Sequence, residues 1–253
     1  MILLLDAGNS RLKWGLWRAA GWQARGALGL DAIDDLPRQV NAALHGAGPT
    51  GGVVCCVAGK AVRMRLESWL NGLAVPVHWL RASARGHGLV NRYHVPETLG
   101  ADRFAALVGA WRNAFAPCVV VAAGTALTVD ALNANGEFLG GLILPGRRLM
   151  HSALSGGTAG VQVALDAEAC PTDAFPCSTQ AAVAAGILAG AAGAVSTLQA
   201  RLQAHVSGPV RVLLTGGDAD WLVPALGEGV LRFEGLVLEG MRWIAHDLNW
   251  PGS

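Results

Sequence analysis

A short apolar strand that ends in a small-residue, glycine, polar turn and returns as a second strand occurs twice in this chain, 116 residues apart. The first copy is Ile2-Leu-Leu-Leu-Asp6-Ala-Gly8-Asn9-Ser10, followed by a strand over 11–17. The second is Cys118-Val-Val-Val-Ala122-Ala-Gly124-Thr125, followed by strands over 126–132 and 138–144. Behind the first copy, helical patterns at 34–44, 62–71 and 99–115 alternate with apolar runs at 52–58 and 77–80. Behind the second, Leu213-Leu-Thr215-Gly216-Gly217 ends a strand just before another helix. Alternation of this kind is the signature of an α/β fold. A length of 253 residues accommodates two such copies. The expected organisation is an N-terminal lobe, 1–116, and a similar C-terminal lobe, 117–253, without a flexible linker.

Composition narrows the class of function. Net charge is +1 and 15% of residues are charged, which speaks against a basic nucleic-acid surface. The opening run meets Asp6 after four apolar residues and has no basic region before it, so it reads as a buried strand rather than a signal peptide. Residues 174–200 carry no charge, but Val183, Ile187, Val195 and Leu198 form a helical stripe. A buried helix over 179–200 is expected rather than a membrane span, with Gly186, Gly190 and Gly193 letting helices approach. Five cysteines include no Cys-x-x-Cys, and Cys55, Cys56 and Cys118 sit in valine-rich runs as small hydrophobes. With no zinc-like spacing of histidines, the expectation is a reduced, cytoplasmic protein without a structural metal.

Two glycine motifs are decoys. Gly46-Ala-Gly48-Pro-Thr-Gly51 has the letters of a dinucleotide fingerprint but lies after a helix and before a strand, and Pro49 removes an amide. Gly59-Lys60 lacks the Ser/Thr and the first glycine of a P-loop. The N-terminal hairpin is more informative. Asp6 ends a strand, Gly8, Asn9 and Ser10 form a turn whose amides can converge on phosphate oxygens as a nest, and Lys13 returns on the next strand as a point charge. Asp6 can hold Mg²⁺, usually through water. An ordinary hairpin with a solvated lysine would use the same residue types. Gly216-Gly217 leaves bare backbone against which an adenosine could lie, and Gly140-Gly141 with Pro145-Gly146 brackets another strand. Phosphate hairpins in both halves and a late Gly-Gly turn resemble the duplicated fold of acetate and sugar kinases, heat-shock chaperone ATPases and actin. That fold has two ribonuclease H-like lobes with the active site in the cleft between them.

The resemblance becomes specific at Tyr93-His-Val-Pro96-Glu-Thr-Leu-Gly100-Ala101-Asp102-Arg103. With Asp6-x-Gly-Asn-Ser-x-x-Lys13, Gly124-Thr-Ala-x-Thr-x-Asp130, Gly140-Gly-x-Ile-x-Pro-Gly146 and Thr179-x-x-Ala182, the whole chain resembles the type III pantothenate kinases, also called Bvg accessory factor proteins. The resemblance implies ATP-dependent phosphorylation of pantothenate to 4'-phosphopantothenate, the first step towards coenzyme A, in a cytoplasmic homodimer without nucleic-acid or membrane partners. It implies ATP contacts from Asp6, Ala7, Gly8, Asn9, Ser10, Arg11, Leu12, Lys13 and Thr125. It implies pantothenate contacts from Tyr93, Gly100, Ala101, Asp102, Arg103 and Thr179, with Asp102 as proton acceptor for the primary hydroxyl. Asp102 stands in the first turn of a predicted helix, where the dipole favours negative charge. Arg103 can pair with the substrate carboxylate or orient Asp102.

Two departures from the family pattern stand out. Ala122 occupies the place of an aspartate that, in the family, helps hold a monovalent cation, K⁺ or NH₄⁺. After Thr158-Ala159, Gly160-Val-Gln-Val163 replaces the usual Leu-Pro pair. Two other functions stay open on the sequence. One is a phosphatase or polyphosphatase of the same fold; the other is a non-catalytic nucleotide-binding regulator.

Overall fold

The computed structural model describes residues 1–158 and 175–250, which divide into two compact units. One contains Met1–Ala114 and the residues from Gly235 onward; the other is Phe115–Glu234. The sequence places 117–253 in the C-terminal lobe, and the structure puts 235–250 with the first unit instead.

The first unit opens with β1 (Ile2–Ala7), β2 (Arg11–Arg18) and β3 (Gly21–Gly29), and continues through α1 (Leu36–Leu44), β4 (Gly51–Cys56), α2 (Lys60–Asn71) and β5 (Val77–Trp79). A small hairpin of β6 (Arg85–Gly86) and β7 (Leu89–Asn91) then leads to α3 (Ala101–Arg112). Its sheet runs β3-β2-β1-β4-β5, with β1 antiparallel to β2 and parallel to β4. All six residues of β1 are buried, as a central strand covered on both faces requires. That is why its sequence is an unbroken apolar run. β3 escapes sequence prediction because its apolar signal is displaced into neighbouring glycines. Trp14 lies over its register partner Gly26 and Trp22 over Gly15; a Cβ at either glycine would come within 2.6 Å of an indole ring.

The second unit holds β8 (Cys118–Ala123), β9 (Ala126–Leu132), β10 (Glu137–Pro145), α4 (Arg147–Gly157), α5 (Thr179–Gln203), β11 (Arg211–Thr215), α6 (Ala219–Leu226) and β12 (Val230–Arg232). The order β10-β9-β8-β11-β12, with β8 antiparallel to β9 and parallel to β11, repeats the arrangement of the first unit strand for strand. Each unit thus has the ribonuclease H-like order expected of it. Val119, Val121, Leu127, Val129, Val212 and Leu214 of this sheet pack in one core with Leu188, Ala191, Val195, Leu198 and Leu202 of α5. By length and composition α5 could cross a bilayer, but its larger side chains serve this core. A Cβ at Gly186, Gly190 or Gly193 would meet nothing within 4 Å. Among the described residues of the chain, no helix approaches closely at these glycines.

Close helix approach occurs elsewhere. The C-terminal helix α7 (Leu236–Asp247) packs along α3, and a Cβ at Gly240 would run into the Ala105 carbonyl while lying 3.0 Å from the Gly109 amide. At Gly109 it would stand 2.8 Å from the Leu236 carbonyl. The end of α7 is clasped by Asp247, which accepts hydrogen bonds from Arg112 at 2.8 Å and pairs with His87 at 2.8 Å. Replacing Gly240 with Val is expected to destabilise the first unit by about 3 kcal/mol, the upper range for overpacking against backbone. Thermal unfolding of the variant beside wild type checks this, and an unchanged melting temperature contradicts it.

Candidate functional site

Three consecutive strands of the first unit carry polar side chains in one row. Asp6 on β1 is in register with Lys13 on β2 and with Cys55 on β4. Adjacent in-register positions share a face, so a cation, a carboxylate and a thiol stand side by side beneath the first turn. Asp6 is buried, and desolvation pushes its carboxyl up to about 7. Lys13 opposes that shift, the charge of Asp102 adds to it, and a hydrogen bond with Cys55 again opposes it. Cys55 is itself wholly buried, and burial, with Asp6 beside it, holds the thiol well above its ordinary value. Sequence reading takes Cys55 for a small hydrophobe; the structure makes it a partner of Asp6. Nothing local marks the difference, because it depends on the β1–β4 register.

The turn above this row is narrower in capacity than expected. The Gly8 amide is donated to the Arg11 carbonyl at 3.1 Å, so it closes the hairpin rather than joining Asn9 and Ser10 in a three-amide nest. Gly8 has no positive φ, and a Cβ there would meet only Arg11 O at 3.5 Å. Its missing side chain leaves open backbone at the turn. Asn9, Ser10 and Arg11 are exposed, Ala7 and Leu12 buried.

Asp102 enters from α3. Gly100 is the N-cap, and Asp102 lies in the first turn. Its carboxylate accepts the Arg103 backbone N–H at 2.8 Å. That position is available because Gly100 has no Cβ; one would stand 2.6 Å from Asp102 Oδ1. Two carboxylates, Asp6 and Asp102, therefore share a field with Lys13. Arg103 is buried, donates from Nη1 to the Tyr93 hydroxyl at 3.1 Å, and has its guanidinium 5.8 Å from the Tyr93 ring centre. Ala101, Gly100 and Tyr93 complete the first unit's share of the predicted site residues.

In the second unit, the Gly124-Thr125 turn is flanked by two glycine turns. Gly146 donates to the Thr125 carbonyl at 2.9 Å, and a Cβ on Gly146 would lie within 3.0 Å of the Thr125 backbone. Gly216, at φ +107°, abuts the Ala123 backbone, where a Cβ would be 2.7 Å from the Ala123 carbonyl carbon. Only glycine fits there. Gly217 has open space around its Cβ position. Ala122 is flanked in register by Thr128 on β9 and Thr215 on β11, both buried, and Thr128 Oγ1 has no hydrogen-bond partner among the described residues. Thr179 is the exposed first residue of α5, whose N-cap Ser178 accepts the Ala181 amide at 3.1 Å. The departure at 160–163 and Cys170 lie outside the described residues. Among the described residues, no group of three His, Cys, Asp or Glu side chains is placed to hold a metal ion, and Cys55, Cys56, Cys118 and Cys177 are free.

The profile of the type III pantothenate kinases matches residues 2–201. The chain belongs to the type III pantothenate kinase family. It is 40% identical over 251 residues to the type III pantothenate kinase of Albidiferax ferrireducens, covering 94% of this chain and 95% of that one. It is also 40% identical over 258 residues to that of Leptothrix cholodnii, covering 97% and 96%. A Baf family protein from Campylobacter jejuni has the same fold with a TM-score of 0.65 at 22% identity, covering 98% of this chain and 99% of that one. The fold is that of the actin-like ATPases and sugar kinases. As a type III pantothenate kinase the chain is a phosphotransferase.

Proposed function

We propose that this pantothenate kinase family chain moves the γ-phosphoryl group of ATP to the primary hydroxyl of pantothenate, with Asp102 as the group that receives the hydroxyl proton. The observation that carries the reading is the placement of Asp102 at the start of α3, its carboxylate fixed by the Arg103 amide and its charge felt at Asp6. One carboxylate is steered over Gly100 by the Arg103 amide, within electrostatic reach of a second that stands between Lys13 and Cys55. A loose phosphoryl-transfer transition state depends more on alignment and charge than on early deprotonation. A carboxylate held by a backbone hydrogen bond is suited to orienting the nucleophilic hydroxyl and taking its proton as the bond to phosphorus forms. Lys13 supplies positive charge for the phosphates, with Asn9 and Ser10 at the turn above it, and Arg103 under Tyr93 offers a guanidinium for the pantothenate carboxylate. Thr125 and Gly216-Gly217 on the second unit are assigned to ATP, and Thr179 to pantothenate.

Magnesium fits the first-unit residues. Asp6 is pushed towards protonation by burial and by the charge of Asp102, and a divalent cation held through water would relieve both. When bound with ATP, Mg²⁺ supplies charge neutralisation on the phosphates. The monovalent cation does not fit. Where the family carries a carboxylate, this chain presents the Ala122 methyl between two threonines, hydroxyl dipoles without the negative charge. Activity is therefore expected to be the same with Na⁺ or K⁺ as the counter-ion; a steep K⁺ activation curve contradicts this.

The further family traits, a cytoplasmic location and a homodimer, belong to the same reading. The exposed small-residue face of α5 at Ala182, Gly186, Gly190 and Gly193 is a surface that another copy can approach closely, and sedimentation measures the assembly. The decisive assay is ADP release from ATP with and without pantothenate. Pantothenate-dependent release supports the kinase; equal release without pantothenate points to a phosphatase, and none at all to a nucleotide-binding regulator.

A further inference from the structure

The segment that carries Tyr93 is short on regular structure. β7 ends at Asn91, and the next element is a single helical turn over Pro96–Thr98. Asn91 holds this segment together. It is buried, at 6% exposure, and its backbone amide is donated to the Ala84 carbonyl at 2.9 Å, fixing it to the neighbouring chain of the hairpin. Its side chain then works in both directions. Oδ1 accepts the Tyr93 backbone N–H at 3.1 Å, while Nδ2 donates to the Pro96 carbonyl at 2.9 Å. One amide thus grips the loop on both sides of the tyrosine. The Tyr93 hydroxyl in turn accepts from Arg103 Nη1 at 3.1 Å, and the Arg103 amide donates to the Asp102 carboxylate at 2.8 Å.

We infer that Asn91 is a positioning residue for pantothenate recognition: it sets where the Tyr93 phenol stands, and through that phenol the direction of the Arg103 guanidinium. The inference rests on the reading of Tyr93 and Arg103 as pantothenate-binding residues. The chemistry is specific to an amide. Aspartate keeps the acceptor for Tyr93 but loses the donor to Pro96, and places a carboxylate against a carbonyl; leucine has neither. A buried amide is worth retaining only when its donor and acceptor are both engaged, as these are. Arg103 is also buried, so its guanidinium depends on such neighbours for direction.

The sequence provides a direct probe, because Tyr93 is the chain's one tyrosine. Full-length protein labelled with 3-fluorotyrosine gives a single fluorine resonance from that ring, whatever the substrate proves to be. Asn91→Ala is expected to shift or broaden this resonance in the free protein, and Asn91→Asp to shift it less. In turnover, Asn91→Ala is expected to raise the KM for pantothenate about tenfold, as for loss of a buried hydrogen-bond anchor, with kcat and the KM for ATP little changed. The double variant Asn91→Ala/Tyr93→Phe should be no worse than the more impaired single variant. A resonance unmoved in both Asn91 variants overturns the inference, as does an equal rise in both KM values or strictly additive losses. A wild-type enzyme with no pantothenate-dependent turnover would refute the functional reading instead, and the fluorine spectrum would still decide whether Asn91 governs Tyr93. If Asn91→Ala fails to fold, Asn91→Asp and Asn91→Ser carry the same comparison.

Discussion

Asp102→Asn is expected to lower pantothenate-dependent ADP release by about two orders of magnitude or more, the usual consequence of removing a positioned base. Asparagine preserves shape and still offers an oxygen to the Arg103 amide, which Asp102 now engages at 2.8 Å. The fold of α3 and the bend over Gly100 should therefore persist. What is lost is the capacity to accept the hydroxyl proton, so the deficit should fall on kcat more than on the KM for ATP. Steady-state rates with each substrate varied in turn make this check. A variant that retained more than about a tenth of wild-type kcat would show that orientation alone suffices, with the proton leaving to water or to phosphate.

The second large effect pairs a gain in stability with a loss of activity at the same residue. Desolvation, more than the charge of Asp102, raises the Asp6 carboxyl from 3.8 to about 7, against the opposing pull of Lys13. In the unfolded chain the group ionises near its ordinary value, so between about pH 4 and pH 7 the native state holds a proton the unfolded state has lost. Stability therefore falls as pH rises through this window, and the penalty is complete above about pH 7. The displacement corresponds to about 4 kcal/mol, taken as an order of magnitude. Asp6→Asn should remove that penalty. In metal-free buffer the variant is expected to be more stable than wild type at about pH 8 and equal to it at about pH 4, while pantothenate-dependent turnover collapses. Urea unfolding across that range provides the measurement. A stability difference independent of pH would mean that the Asp6 carboxyl is not strained by its burial. The physical sense is that of a functional site: a charge is placed where folding disfavours it, because its ligands are cationic or are carried by a cation.

Much of this site is legible in the chain. Asp6, Gly8 and Lys13 can be read because a hairpin brings residues seven apart into cross-strand register, a local consequence of turn length. Asp102 and Gly100 can be read because a helix start has its own residue preferences and its own field. The two-fold repetition is visible because each central strand must be apolar on both faces and must then turn sharply, a demand that leaves the same pattern wherever it arises.

Other features have no local signature. Cys55 reads as one more buried apolar residue until β4 is set beside β1, and nothing in the sequence singles out Asn91, whose amide spans Tyr93 and Pro96 only in the folded chain. Residue density draws attention to the Ala/Gly-rich α5, and nothing local marks Gly109 and Gly240, one on each of two helices far apart in sequence, as the glycines through which α3 and α7 approach. Turn composition offers the Gly8 amide to a ligand because it does not reveal which amide closes the turn.

The sequence by itself determined the α/β alternation, the repeated hairpin and the residue types able to handle phosphate and proton, since all of these depend on periodicity, turn chemistry and short spacing. Tertiary structure alone decided that the last helix joins the first unit, that Cys55 stands against Asp6, and that Asn91 grips the loop on both sides of Tyr93. Those outcomes depend on strand register and on backbone approach between distant segments, and neither leaves a periodic trace in the chain.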